Sequence, residues 1–305
     1  MTEELGLRQN RPMNQVKMAY LLLAHKCPRQ INIFIEQLLN YGDCDVYIHV
    51  DKKAERIIPE IQKKEHVFII CEYVVSWGSF EIPKAAVALM KKAINSGRQY
   101  SHYYFGSCQD LLVKKGLFEY LEKNPDDIYI KIDKIVSNRT RASARYKVRW
   151  PKKLMIRNDW HPYRFIRGGI QFLCQMGIVY RKNTVKIPKD IIFYEGRTWF
   201  IAPSKVIEYI VNYIEENPDF FALWENSLAS DLMFFQTIIM NSYFKENVKD
   251  ELMYVNFGKL FGTMNHPRNI TIEDNKNIEA GNYYCARKFE LKDANVMRYY
   301  LDKTK

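Results

Sequence analysis

Near its C-terminus the chain reads NYYCARKFELKD, which sets two cations, Arg287 and Lys288, side by side between an aromatic-rich stretch and Phe289. Such a pair suits an anion. It equally suits a solvated strand edge, because exposed Lys and Arg are the rule. Other polar groups recur at the ends of apolar runs. LLLAHK supplies His25 and Lys26, VYIHVDKK supplies His49 and Asp51, VVSWGSF supplies Ser76, Trp77 and Gly78, and FGSCQD supplies Gln109 and Asp110. A carboxylate at a strand end can take a ribose hydroxyl or a base edge, as acidic groups do in nucleotide-binding sheets. Each of these residues alone could be a cap or a turn hydrogen bond. Together, four successive strand ends with polar or aromatic groups line a cleft, and the chemistry they suit is binding of a nucleotide or sugar nucleotide.

Several other devices are missing. Neither GxGxxG nor GxxxxGK[ST] occurs, which disfavours a dinucleotide enzyme and a P-loop nucleotidase. Asp43-Cys44-Asp45 is a literal DxD, but it precedes a strand beside Gly42 and reads as a turn. His161 in HPYRF and His266 in NHPRN lack the spacing of metal ligands, so no metal site is expected. No two of the six cysteines are close enough for a CxxC, and they read as small buried hydrophobes in a reducing compartment.

The elements that must carry these residues alternate between two periods. Residues 16–25, 45–50, 66–71 and 100–107 are apolar runs of strand length, and 29–40, 80–97 and 116–124 have helical spacing. Pro83 suits the first turn of the second helix. Strand runs buried on both faces and interleaved with helices point to a parallel or mixed sheet in an α/β fold. Ligands then bind beyond the carboxyl ends of the strands, at the loops after residues 25, 50, 75 and 106. The last third restarts with a strand and helix over 197–218. A buried helix over 230–242, with Asp231 in its first turn, and a strand over 251–257 follow. Between these parts, residues 131–167 hold twelve Lys or Arg against two acids, Asp133 and Asp159, interleaved with Tyr146, Trp150, Trp160 and Tyr163. That stretch is either an anion-facing insertion or an exposed basic loop.

With 305 residues, 47% of them hydrophobic, the chain has ample material for a core. The expected division is one domain over 1–305, with a nucleotide-binding half at 16–125, a basic insertion at 131–182 and an acceptor and catalytic half at 190–295. A surplus of 46 Lys and Arg over 35 Asp and Glu gives a net charge of +11 and asks for an anionic partner. Nucleic acid, a phosphorylated ligand and an acidic membrane surface all meet that request. No run approaches 18 apolar residues, and the polar N-terminus lacks the apolar centre of a signal peptide. The expected location is the cytoplasm, with peripheral contact at the inner face of an acidic membrane.

The string AYLLLAHKCPRQINIFIEQLLNYGDCDVYIHVDKKA resembles the N-terminal signature of the Core-2/I-branching glycosyltransferases. That family includes β-1,6-N-acetylglucosaminyltransferases and protein xylosyltransferases. VVSWGSFEIPKAAVALMKKAI, GSCQDLLVKKGLFEYL, GRTWFIAPSKVIEYI, FFQTIIMNS, HPRNITIED and CARKFE follow in the family's order, over about residues 18–290. The resemblance implies a glycosyltransferase-A-like fold, a Rossmann-like mixed sheet flanked by helices. It implies a UDP-sugar donor, UDP-GlcNAc first, with inversion at the anomeric carbon. It also implies a glycan acceptor, lipid-linked glycans included, with no nucleic-acid partner and no required metal or other cofactor. Without Mg²⁺, protein cations must stabilise the departing diphosphate. The lysine of the family's ARKF[DE] motif lands on Lys288, with Arg287 beside it. The uridine-site aspartate lands on Asp51, and the aspartate near donor sugar and acceptor on Asp110. His25, Trp77 and Gln109 complete the implied donor side, and Trp199 and Thr198 the acceptor side.

Three positions depart from the family pattern. Leu232 stands where the branching enzymes carry a Glu base, Thr198 where the xylosyltransferases carry an Asp base, and Met253 where a second phosphate-binding Arg is usual. Neither Leu nor Thr can take a proton from an acceptor hydroxyl. Asp231, one residue away, and Glu195, just ahead of Trp199, are the substitutes. A one-residue shift on a helix turns a side chain by about 100°. The implied setting is bacterial surface-polysaccharide assembly. The alternative is a catalytically impaired sugar-nucleotide-binding or scaffold protein of such an assembly.

Overall fold

β1 (Met18–Ala24) is buried because both of its faces meet packed layers, and its residues sort by parity. Met18, Tyr20 and Leu22 enter one hydrophobic cluster, Ala19 and Leu21 the other. The computed structural model that shows this describes residues 16–155, 161–187, 190–257 and 267–305. α1 (Pro28–Tyr41) places Pro28 at its first turn and buries Ile31, Phe34, Ile35 and Leu38 at helical spacing. β2 (Cys44–Val50), β3 (Val67–Ile70), α2 (Glu81–Ile94) and β4 (His102–Ser107) follow as the sequence predicts. A run of 3₁₀ turns over Lys52–Glu60 separates β2 from β3.

Next come β5 (Asp110–Leu112), α3 (Leu117–Lys123), β6 (Ile128–Ile135), α4 (Ala144–Lys147) and α5 (Tyr163–Gln175). The last third holds β7 (Tyr194–Pro203), α6 (Ser204–Glu216), α7 (Pro218–Leu223) and α8 (Phe234–Met240). β8 (Val248–Lys249), β9 (Met253–Val255), α9 (Asn275–Ala280), β10 (Cys285–Arg287) and α10 (Ala294–Lys303) complete it.

Seven strands form one sheet in the order β3-β2-β1-β4-β7-β6-β8. β7 runs antiparallel to both β4 and β6, and the other neighbours pair parallel. This is the predicted mixed sheet flanked by helices, consistent with a glycosyltransferase-A-like fold. The stretches 16–125 and 190–295 both supply strands to it. A second sheet of three strands, β5-β10-β9, has β10 in the middle. Arg287 therefore lies in a central strand and not on a solvated edge.

Other expectations change. The helix predicted over 230–242 begins at Phe234, and Asp231 sits in a separate 3₁₀ turn, Ser230–Leu232. Ala229 enters that turn with a left-handed φ of 50°, which breaks the helix there. The basic stretch is not one insertion or loop. Its first residues belong to β6, and Tyr146 and Trp150 are buried, Trp150 in a small third core with Leu154, Ile170 and Cys174. Asp45 is no turn residue: it is buried in β2, 2.7 Å from both Arg98 Nη1 and His66 Nδ1. Trp160, Asp159 and His266 lie outside the described residues.

Gly106, near the end of β4, has no room for a side chain. A Cβ there would lie 2.2 Å from the Tyr104 ring and 2.6 Å from Asp110 Oδ2. Gly106→Ala is expected to cost about 1–3 kcal/mol of stability, read as a lower midpoint in thermal or denaturant unfolding. An unchanged midpoint would show that β4 can shift without disturbing Asp110.

Candidate active site

Backbone hydrogen bonds gather the carboxyl ends of β1, β2 and β4. Asp51 N donates to Ala24 O at 2.8 Å, and Cys108 N to Leu23 O at 3.0 Å. From there a circuit of contacts runs round the strand ends. Val75 N donates to Asp51 Oδ1 at 3.2 Å, and Ala229 N donates to Gly78 O. Thr198 Oγ1 donates to Asp231 Oδ2 at 2.8 Å. The next residue, Trp199, lies under the Arg287 guanidinium at 4.2 Å, and Arg287 Nε lies 3.5 Å from Asp110 Oδ1. Phe289 N donates to Gln109 O at 2.9 Å. Glu290 then pairs with Lys288 at 2.7 Å and with Lys26 at 3.1 Å, which returns the circuit to the end of β1. The predicted residues thus fall into two groups flanking β7, since Thr198 and Trp199 point to opposite faces of that strand.

On the Trp199 side, Asp110 is fully buried and accepts from Ser107 N at 2.7 Å and Tyr104 Oη at 2.9 Å. Burial pushes its carboxyl above the ordinary range, and Arg287 pulls it back. Arg287 is 7% exposed. Its Nε and Nη1, and Gln109 Nε2, are buried donors with no hydrogen-bond partner among the described residues. Unmet donors gathered beside a cation are what an anion would satisfy.

Lys288 leaves this group. β10 ends at Arg287, and the lysine turns to Glu290, which Lys26 and, at 3.4 Å, Lys292 also approach. Lys288 holds the Glu290 carboxyl far below the usual range. Arg287 and Lys288 are adjacent in sequence but do not form one paired charge, because they face different neighbours. Three lysines on one carboxylate still leave the rim positive. Glu290, the acidic end of CARKFE, is a residue of this rim that the sequence motif does not announce. His25 is exposed at the end of β1. His49 is buried, accepts from Tyr73 N at 3.1 Å, and is pushed toward its neutral form by burial.

On the Thr198 side, Asp231 is half-buried. Burial raises its carboxyl above the ordinary range, against the opposing pull of Thr198 and Arg145. That direction suits a group that must accept a proton. Glu195 is ion-paired with Arg145 at 2.9 Å and with Lys134 at 3.1 Å. Arg145 also donates to Ala229 O at 3.3 Å, so it links the two candidate bases. Nothing in the sequence distinguishes Arg145 from the other cations of the basic stretch. Trp77 lies under the Arg167 guanidinium of α5 at 5.1 Å, so it joins the third core as well as the cleft. Met253 is 5% exposed and faces the core, which leaves no cation at that position of β9.

A groove of about 630 Å³ lies elsewhere, between α2 and α6. Its Lys84 and Lys91 are paired with Glu225 and Glu215, each at 2.7 Å, and none of the strand-end residues named above lines it. The candidate site is therefore drawn from the convergence of unmet donors at the strand ends and not from that groove. Among the described residues, no group of three or more His, Cys, Asp or Glu side chains is placed to hold a metal.

Glu251 is buried against Arg197 beside Trp199, and burial pushes its carboxyl up to about 7. The folded protein therefore holds this proton more tightly than the unfolded chain. Its stabilising contribution is full below the ordinary value of 4.5 and is lost as pH rises through about 7. Glu251→Gln, which cannot ionise, is expected to gain stability relative to the parent between about pH 5 and about pH 8, by about 2–3 kcal/mol at most. A difference in unfolding midpoints that stays constant over that range would show that Glu251 is ionised throughout.

Residues 18–279 match the family model described as Core-2/I-Branching enzyme. A comparison with curated proteins finds no match. The matched span covers the ends of β1, β2 and β4 together with Thr198 and Asp231, and it stops before Arg287 and Lys288. Members of this family generally work without a metal. The sheet, its order and a match over most of its length show that the chain belongs to the Core-2/I-branching family of glycosyltransferases.

Proposed function

We propose that the chain is an inverting, metal-independent glycosyltransferase that passes a sugar from a UDP donor to a glycan acceptor in bacterial surface-polysaccharide biosynthesis, with GlcNAc the first sugar to test. One observation carries this reading: Asp231 Oδ2 lies 2.8 Å from Thr198 Oγ1. The resemblance puts the catalytic base at Thr198 in one branch of the family and at Leu232 in the other. In this chain a carboxylate one residue from the second place is held by the hydroxyl at the first. The two substitutions therefore compensate each other.

In the proposed reaction the acceptor hydroxyl gives its proton to Asp231 as its oxygen attacks the anomeric carbon. The bond from that carbon to the diphosphate oxygen breaks on the opposite face, and UDP leaves with the bonding pair. Lys288 and Lys26, released from Glu290, and the unmet donors of Arg287 and Gln109 stabilise the charge on the diphosphate. Asp51 takes the uridine, His25 borders it, and Asp110 fixes Arg287 beneath the donor sugar. Trp199 and Trp77 wall the cleft. Glu195 is the weaker base, because it is already ion-paired with Arg145 and Lys134.

The second reading, a sugar-nucleotide-binding or scaffold protein with little turnover, is favoured by the absence of an ionisable side chain at positions 198 and 232. UDP release from a panel of UDP-sugars, with and without glycan acceptors, separates the two. Tight UDP binding with no turnover of any donor selects the second. Lys288→Ala is expected to weaken UDP binding at least several-fold in calorimetry, and an unchanged affinity removes the diphosphate role. Asp231→Asn is expected to lower turnover by about 10²–10⁴ with UDP affinity retained. Turnover that survives moves the base to Glu195, with Glu195→Gln as the next variant.

A further inference from the structure

α5 is apolar on the side that faces water. Arg167, Ile170 and Cys174 turn inward, the latter two into the third core. The other face carries Phe165, Ile166, Phe172, Leu173 and Met176, which are 75%, 47%, 52%, 39% and 64% exposed. Ile178, 60% exposed, extends the patch beyond the helix end. At about 100° per residue the four helical positions and the capping Met176 fall within an arc of about 120°. Single exposed apolar residues need no explanation, but a contiguous patch of this kind marks an interaction surface.

The surroundings of the patch select the partner. Residues 134–187 contain fourteen Lys or Arg and one acid, Asp159. Arg139 lies over Gly177, just past the helix, and Arg149 N donates to Arg181 O at 2.8 Å. Arg139, Arg149, Arg181 and Lys182 are all exposed. A second copy of the chain suits this surface poorly, because a two-fold contact would face cations with cations and supply no acid to pair them.

We infer that α5 is an interfacial anchor: its apolar arc enters the boundary of an anionic lipid surface while the neighbouring cations hold headgroups. The anchor is coupled to the cleft. Arg167 donates to Leu154 O at 2.6 Å and lies over Trp77, and Gly78 next to it accepts from Ala229. Docking of α5 therefore sets the Asp231 side of the cleft beside the bilayer. If the proposed glycan transfer holds, the acceptor class is a lipid-linked glycan presented at that surface.

The test uses purified full-length protein and sedimented vesicles, of phosphatidylcholine alone or with phosphatidylglycerol at about three to one. The parent is expected to pellet with the anionic vesicles and to stay in solution with the neutral ones. Phe165→Asp with Phe172→Asp is expected to weaken anionic-vesicle binding at least tenfold without moving the unfolding midpoint. Arg181→Glu with Lys182→Glu is expected to do the same, and it decides the matter if the first pair fails to fold. No pelleting of the parent, or full binding by a folded variant pair, overturns the inference. So does a dimer in size exclusion that the Phe variants turn into a monomer, since the patch would then be a contact between copies. None of these readouts depends on sugar transfer, so a failed transfer assay leaves them intact.

Discussion

Arg287 and Asp110 hold opposite charges in a space nearly closed to water, in register across β10 and β5. Either charge alone would be expensive there, and removing one partner of such a pair typically costs about 3–5 kcal/mol. Together they pin the C-terminal strand to the end of β4, with the Trp199 ring as a floor beneath the guanidinium. The pair does more than stabilise. It carries the chain to Lys288 and Glu290 at the rim, where three lysines share one carboxylate. Burial raises the Asp110 carboxyl above its ordinary range, and the neighbouring Arg287 opposes that shift.

β7 divides the chemistry. Its alternating residues send Thr198 toward Asp231 and Trp199 toward Arg287. One strand thereby positions the Asp231 carboxylate and the Arg287 guanidinium on opposite faces of the same sheet. The left-handed turn at Ala229 brings Asp231, and not Leu232, within hydrogen-bond reach of Thr198.

The half of the fold that obeys local rules was legible. Continuous apolar runs became β1, β2, β3 and β4, and the spacing of Ile31, Phe34, Ile35 and Leu38 became α1. The strand-end residues did gather at one edge, because parallel strands with helical crossovers leave their carboxyl ends together. What stayed hidden depends on contacts distant in sequence. Three-residue strands such as β5 and β10 carry no periodicity. The position of β7 between β4 and β6 is a pairing choice that no local pattern announces. Arg145 looks like any cation in a basic stretch until Glu195 and Ala229 converge on it. Arg287 and Lys288 look like a pair until the strand ends between them. α5 lay within the stretch read as a basic insertion, and only its packing shows a helix whose one side enters a core while the other is exposed.

The place of β7 also bears on how the chain is made. β4 leaves the ribosome with one edge unpaired, and that edge must wait until Tyr194–Pro203 has been synthesised. In the interval the nascent sheet presents a bare row of amide and carbonyl groups, the kind of template on which strands from other molecules add. The central sheet therefore cannot close from the first 125 residues alone: its continuity depends on a strand made some 90 residues after β4.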